Sequence, residues 1–168
     1  MLPITLNPRM VRVGLAGAGD GFARRLTFLA EAGVEPVSVA TDSSDDALRR
    51  LSILFVAGLE PSLAADLAQR ARSGGVLVNV EDAPQLCDFH VPAVARRGAL
   101  VLTVSTGGRA PGLARRLREW LQERFGPEWD EHLRALGTAR AGWRADGIEP
   151  DEVSRRTRDM VEREGWLS

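Results

Sequence analysis

The chain has little sulfur, little histidine, almost no net charge and no long apolar run, and each shortage closes off a class of function. A single cysteine, Cys87, stands among 168 residues, so no internal disulfide can form, and the composition suits a reducing cytosol. The two histidines are His90 and His132. Cys87-x-x-His90 is therefore half a metal site with no second half; no tetrahedral zinc site can be assembled, so Cys87 is read as a packed thiol and no resident metal is expected. The formal net charge of -1 gives no bulk attraction to nucleic acid. The longest apolar stretches, such as Ile53 to Gly58, are too short to span a bilayer, and Met1 to Met10 lacks the apolar run of a secretory leader. There are no internal repeats and no low-complexity segments. A cytoplasmic protein that binds neither membrane nor nucleic acid is expected.

What remains is ordinary for a globular chain: 44% hydrophobic and 27% charged residues. The length suits one domain, or one domain with a small appendage, and burial of roughly two-thirds of the unfolded surface. Val11 to Ala16 reads as a buried strand that runs into Gly17-Ala18-Gly19-Asp20-Gly21. From Phe22 apolar residues recur at helical spacing (Phe22, Leu26, Leu29, Ala30), and Gly33 ends the helix. Val37 to Ala40 is a second strand, so the start of the chain is a βαβ unit. A short helix over Ser43 to Arg50, with Ser43 and Asp46 at capping-box spacing, precedes a strong strand over Leu51 to Ala57. A helix from Pro61 to about Ser73 and a strand over Val76 to Val80 follow. This alternation predicts an α/β fold with a Rossmann-type, mostly parallel sheet.

Beyond Glu81 the pattern changes. A loop leads to a hairpin, with its second strand over Leu100 to Ser105, expected on the sheet edge where Pro92 is tolerated. From Pro111 the chain reads as all helix: an apolar stripe of Leu113, Leu117, Trp120, Leu121 and Phe125, a break at Gly126-Pro127, and helices over Trp129 to Leu136 and Pro150 to Trp166. The expected division is a dinucleotide-binding domain over 1–110 and a small C-terminal all-helical region over 111–168. The latter has too few residues for a core of its own and pairs with a second copy of the chain.

Three segments carry candidate chemistry. Gly17, Ala18, Gly19, Asp20 and Gly21 lie between a strand and a helix, where Gly-x-Gly lets the backbone approach a pyrophosphate at the helix N-terminus. Asp42, at the end of the second strand, is placed to accept hydrogen bonds from an adenosine ribose. The bland alternative is a tight turn that binds no nucleotide. Asn79-Val80-Glu81-Asp82 follows the carboxyl end of a strand, where ligands bind in open α/β sheets; a carboxylate there can take a proton from a substrate, although two acids in a loop are commonly just solvated. Ser105, Thr106, Gly107, Gly108 and Arg109 open a helix that carries Arg115 and Arg116. Free N–H groups, a positive dipole end and guanidinium forks make an anion site; the alternative is a plain helix start with solvated arginines.

Taken together these segments resemble the precorrin-2 dehydrogenase family, which includes the amino-terminal module of siroheme synthase. The likeness is strongest over Val76 to Arg124: Asn79-Val80-x-Asp82, Phe89-x-x-Pro92-Ala93, Arg97-Gly98, and Val104-Ser105-Thr106-Gly107-Gly108-x-x-Pro111-x-Leu113-Ala114-Arg115. Gly17-Ala18-Gly19-Asp20 and Arg24-Arg25 resemble the family's glycine-rich turn and basic helix start. The resemblance implies NAD as cofactor and a homodimer formed through the helical tail. It implies that precorrin-2 is the tetrapyrrole substrate, oxidised to sirohydrochlorin, with ferrous iron inserted by some members. It assigns the catalytic role to Asp82 and lines the substrate cleft with Asn79, Ser105, Thr106, Gly107, Gly108, Arg109 and Arg115. The chain departs from the family pattern in the short segment between Gly33 and Leu51, in a short helical tail, and at Phe22. The bulk at Phe22 predicts a helix set further from its strand. These departures leave two other readings: a chelatase without redox function, and a homologue that binds a tetrapyrrole or nucleotide without turnover.

Overall fold

A computed structural model describes residues 2–167. Its backbone contacts divide the chain between Val91 and Pro92. The break thus falls earlier than the 110/111 boundary expected from sequence.

The first unit is a four-stranded parallel sheet. Its strands are β1 (Val13–Gly17), β2 (Val37–Val39), β3 (Ile53–Ala57) and β4 (Leu77–Val80), in the order β2-β1-β3-β4. The pairs run Leu15 to Ser38, Leu15 to Phe55 and Phe55 to Asn79. Helix α1 (Gly19–Glu31) joins β1 to β2, α2 (Asp45–Arg49) precedes β3, and α3 (Pro61–Ser73) joins β3 to β4. Every residue of β3 is buried, as a central parallel strand requires. The period of two then sorts its side chains. Ile53 and Phe55 join Val13, Leu15 and Leu29 on the α1 side, whereas Leu54 and Val56 join Leu67, Ala68, Ala71 and Val78 on the α3 side. Glycine ends α1 as the sequence implies: Gly33 has φ 71°, and Val34 N–H donates to the Leu29 carbonyl at 2.9 Å. The cap of α2 is Ser44 rather than Ser43. Ser44 Oγ accepts from Ala47 N–H, while Ser43 Oγ accepts from Ala40 N–H and closes the turn after β2.

The second unit opens with an antiparallel hairpin, β5 (Ala93–Arg97) and β6 (Leu100–Val104), followed by α4 (Pro111–Arg124), α5 (Trp129–Ala145) and α6 (Pro150–Arg163). The hairpin is a separate two-stranded sheet rather than an extra edge of the parallel one, and α4 packs on it. The edge of β4 is closed by its own downstream loop: Asp88 N–H donates to the Val78 carbonyl at 2.8 Å, and Asp88 Oδ2 accepts from Val78 N–H at 2.9 Å. Nothing is left there for a hairpin to pair with. Helix α5 continues past Gly137 and Gly142 to Ala145, where sequence periodicity stopped at Leu136. Each helical glycine costs about 1 kcal/mol relative to alanine; packing of α5 on α6, including a bond from Arg140 to Thr157 Oγ1 at 2.9 Å, offsets that cost. Among the described residues no helix is long and apolar enough to cross a membrane.

Candidate functional site

In a sheet ordered β2-β1-β3-β4 the chain reverses direction of winding between β1 and β3, and ligands of such sheets bind outside the carboxyl ends of the strands at that point. Here two turns meet. Gly17 has φ 125°, and a Cβ on it would lie 1.6 Å from the Ala57 carbonyl oxygen; a Cβ on Gly58 would lie 1.9 Å from that of Ala18. Ala18 N–H donates to the Ala57 carbonyl at 3.2 Å. Only glycine allows this contact at Gly17 and Gly58. It clamps the turn so that α1 begins at Gly19, three residues before the expected start at Phe22. Gly19 has φ 74° with nothing within 4 Å of a Cβ position. Ala18, the residue before the helix, provides no side-chain acceptor for its first N–H groups. Open space, unclaimed donors and a positive helix end together fit the diphosphate of a dinucleotide. Asp20 lies in the first helical turn.

Phe22 is partly buried against the Val13, Leu15 and Phe55 cluster, and the close approach at the helix start is at Gly21. A Cβ on Gly21 would lie 1.9 Å from Glu81 Oε2. Glu81, named in the sequence only as one of two acids in the loop after β4, thus seats its carboxylate against the first turn of α1, with Arg24 Nη2 3.3 Å from Oε1. Its one sequence signal is its position, directly after a buried strand. Arg25, one residue on, lies over the Phe55 ring at 4.9 Å; burial lowers its pKa, opposed by the charge of Glu81.

Asp42 follows β2 and is exposed. The loop that carries it is held by Arg70 of α3, whose guanidinium donates to the carbonyls of Thr41 and Ser43 and to Asp45 Oδ1. That arginine was also absent from the sequence-based site, because its partners lie across the fold rather than at helical spacing.

Asp82 is the one non-glycine residue with positive φ, 57°, among the described residues. Asp tolerates this region better than most residues, but the conformation still costs energy, and such residues gather at functional sites. Its side chain is exposed. Asn79, one residue before the end of β4, behaves differently. It is 7% exposed, and its Nδ2 donates to the Phe89 carbonyl at 2.9 Å. This bond is an internal tie that fixes the loop after Asp82. Cys87 is packed as read: Sγ lies 3.3 Å from Val80 N and 3.2 Å from the Val80 carbonyl. Among the described residues no group of three or more His, Cys, Asp or Glu is placed to hold a metal ion.

The second unit carries the other expected segment. Gly107 and Gly108 both take positive φ, 65° and 76°. Ser105 Oγ accepts from Gly107 N–H at 3.3 Å, and Thr106 Oγ1 accepts from Ala110 N–H at 3.2 Å. The two hydroxyl oxygens shape the turn, which leaves their protons free to donate. Ala110 before α4 offers no side-chain cap, and Pro111 needs no partner. Arg109 is exposed, while Arg115 Nε donates to Glu119 Oε1 at 3.1 Å. Arg97 donates to the carbonyls of Arg96, Gln122 and Phe125 at 2.8 Å and closes the end of α4. In the first unit a cavity of about 320 Å³ lies at the other end of β1 from the glycine turn, lined by residues such as Met10, Arg12, Gly33 and Glu35.

Comparisons agree with this geometry. The family model described as "Putative NAD(P)-binding" matches residues 4–93, more than half of the chain. A siroheme synthase of Nitrosococcus oceani is 30% identical over 72% of this chain and 30% of its own length. The siroheme biosynthesis protein met8 of Schizosaccharomyces pombe is 32% identical over 61% of this chain and 39% of its own length. The chain therefore spans about a third of these relatives. A solved precorrin-2 dehydrogenase, SirC, superposes with a TM-score of 0.76 over 100% of this chain and 93% of that one, at 18% identity, and so shares the fold. With the clamped glycine turn, the parallel sheet and the family match in agreement, the chain belongs to the family described as putative NAD(P)-binding.

Proposed function

We propose that the chain oxidises precorrin-2 to sirohydrochlorin with NAD, as a step of siroheme biosynthesis. The observation that carries the reading is the backbone of Asp82, φ 57°, directly after the strand next to β3 at the carboxyl edge of the sheet. An exposed carboxylate held in a costly conformation suits a general base. Gly17 to Gly21 would hold the cofactor's phosphates through backbone N–H groups, and Asp42 its adenosine ribose. A carboxylate at Asp42 repels a 2′-phosphate, which favours NAD over NADP. When bound, the nicotinamide ring supplies the hydride acceptor. Asp82 takes the accompanying proton, so that the substrate loses one hydride and one proton and gains one double bond. The N–H groups of Gly107 and Gly108, the hydroxyls of Ser105 and Thr106, and the guanidinium groups of Arg109 and Arg115 suit the substrate's carboxylates. Asn79 supports the Asp82 loop from behind. The helical tail pairs two copies of the chain, and ferrous iron is a second substrate for the same base.

Anaerobic incubation with precorrin-2, with and without NAD, tests this. Sirohydrochlorin that forms only with NAD, matched by NADH absorbance, is the expected result; ferrous iron added afterwards tests metallation. The short segment between Gly33 and Leu51 favours a second reading, in which the chain binds tetrapyrrole or nucleotide without turnover. Binding without product would select it.

A further inference from the structure

We propose that Glu81 sets the nucleotide affinity of the glycine turn, acting as a fixed negative charge that holds this affinity below what the backbone alone would give. The proposal rests on the reading that the turn takes a nicotinamide dinucleotide, and it concerns a residue to which that reading assigns no role.

Three observations carry it. The carboxylate has a built seat: Gly21 is bare because a Cβ there would lie 1.9 Å from Glu81 Oε2. The seat is anchored from below, since Glu81 N–H donates to the Val56 carbonyl at 2.9 Å and so continues the pairing of β4 with β3. The charge is largely shielded from water, with the Glu81 side chain 22% exposed, and its counter-ion, Arg24 at 3.3 Å, is 67% exposed. A partly buried anion is screened less than an exposed cation; half-buried Arg25 also faces Glu81, and against both cations the carboxylate makes a negative contribution to the field at the first turn of α1. Asp20, in that same turn, adds to it. A diphosphate approaching the free N–H groups of Gly19 and its neighbours meets a favourable helix end and, beside it, a like charge. The helix end attracts it; the carboxylate opposes it.

The consequence is a specific sign. Glu81→Gln keeps the shape that Gly21 accommodates and removes the charge. Coulomb's law across about one helical turn, with the screening of bulk water, gives about a tenfold gain in affinity for a dianionic diphosphate, and a larger one at a lower dielectric. The gain shrinks in high salt. Adenosine, which lacks phosphate, gains nothing. Glu81→Val, which removes both the charge and the bond to Arg24, moves NAD binding the same way.

Calorimetric titration of the full chain with NAD and with adenosine, in low and high salt, tests the proposal. Tighter NAD binding in both variants, with adenosine unchanged and with the gain reduced by salt, is expected. Unchanged or weaker NAD binding in both variants overturns the proposal and leaves the nucleotide reading standing. An equal shift for adenosine overturns it too, because the effect is then on shape and not on charge. Failure of wild type and both variants to bind NAD at all removes the nucleotide reading and the proposal with it.

Discussion

At the scale of single residues, the backbone of Asp82 and the surroundings of Asp42 make separate demands. Asparagine accepts positive φ nearly as well as aspartate, so Asp82→Asn keeps the turn while removing the base. Turnover of precorrin-2 is expected to fall by about 10²- to 10⁴-fold with little change in KM; steady-state kinetics with unchanged turnover would remove the base from Asp82. Asp42→Ala removes a charge that repels a 2′-phosphate and an acceptor for the ribose. NADP is expected to gain on NAD by about tenfold in kcat/KM, and an unchanged ratio would place the ribose elsewhere. Both positions were visible in the sequence because each follows the end of an apolar strand. Arg70 was not, and Glu81 showed only as a loop acid, because what matters about them is a contact across the fold: Glu81 against a glycine sixty residues earlier in the chain, and Arg70 against the carbonyls of Thr41 and Ser43. For Asn79 the position was legible, while the bond from its amide nitrogen to the Phe89 carbonyl is again a contact made by the fold.

Among the elements, the parallel strands and the helices between them were legible because long apolar periods and glycine punctuation agree there. Two features escaped. The hairpin did not join the parallel sheet, because Asp88 already supplies the hydrogen bonds that the free edge of β4 requires; an acidic side chain standing in for a strand leaves no trace in periodicity. Helix α5 runs past two glycines because its neighbour α6 rewards it. Helix α6 itself carries a charge knot in which Arg155 and Arg156 donate to Glu152 at 2.7 to 2.8 Å. The bond from Arg155, then that from Arg156, lowers the Glu152 pKa from 4.5 to about 2. A depressed carboxylate pKa contributes stability that is complete above 4.5 and is lost as pH falls towards 2. In Glu152→Gln the melting temperature is expected to fall relative to wild type at neutral pH, with the gap closing between pH 4.5 and 2. A gap that stays constant across that range would mean that the knot stabilises nothing; being partly exposed, it is worth little in any case.

For the whole molecule, the apolar residues are shared out unevenly. Nearly all the buried ones belong to the parallel sheet and its helices, whereas among the described residues from Pro92 onward Ala95, Ala114 and Val153 are the buried apolar ones. On α4, Leu113 is 54% exposed, Leu117 39% and Trp120 53%, a stripe at helical spacing on an outward face. Such a stripe supports the proposed homodimer. Trp120→Asp is expected to weaken self-association by at least about tenfold in sedimentation equilibrium; a wild-type chain that sediments as a monomer would contradict the dimer directly. Sulfur is distributed more sparingly still. The molecule has one thiol, and Cys87 spends it between the backbone of Val80 and the carbonyl of Ala83, astride the turn that carries Asp82. An alkylating reagent therefore has a single thiol to attack, half-buried where it stands, and opening of that turn exposes it further. The rate at which Cys87 is labelled becomes a clock for the opening of the Asp82 turn, readable on the unmodified chain by mass alone, and any ligand that steadies the turn should slow it.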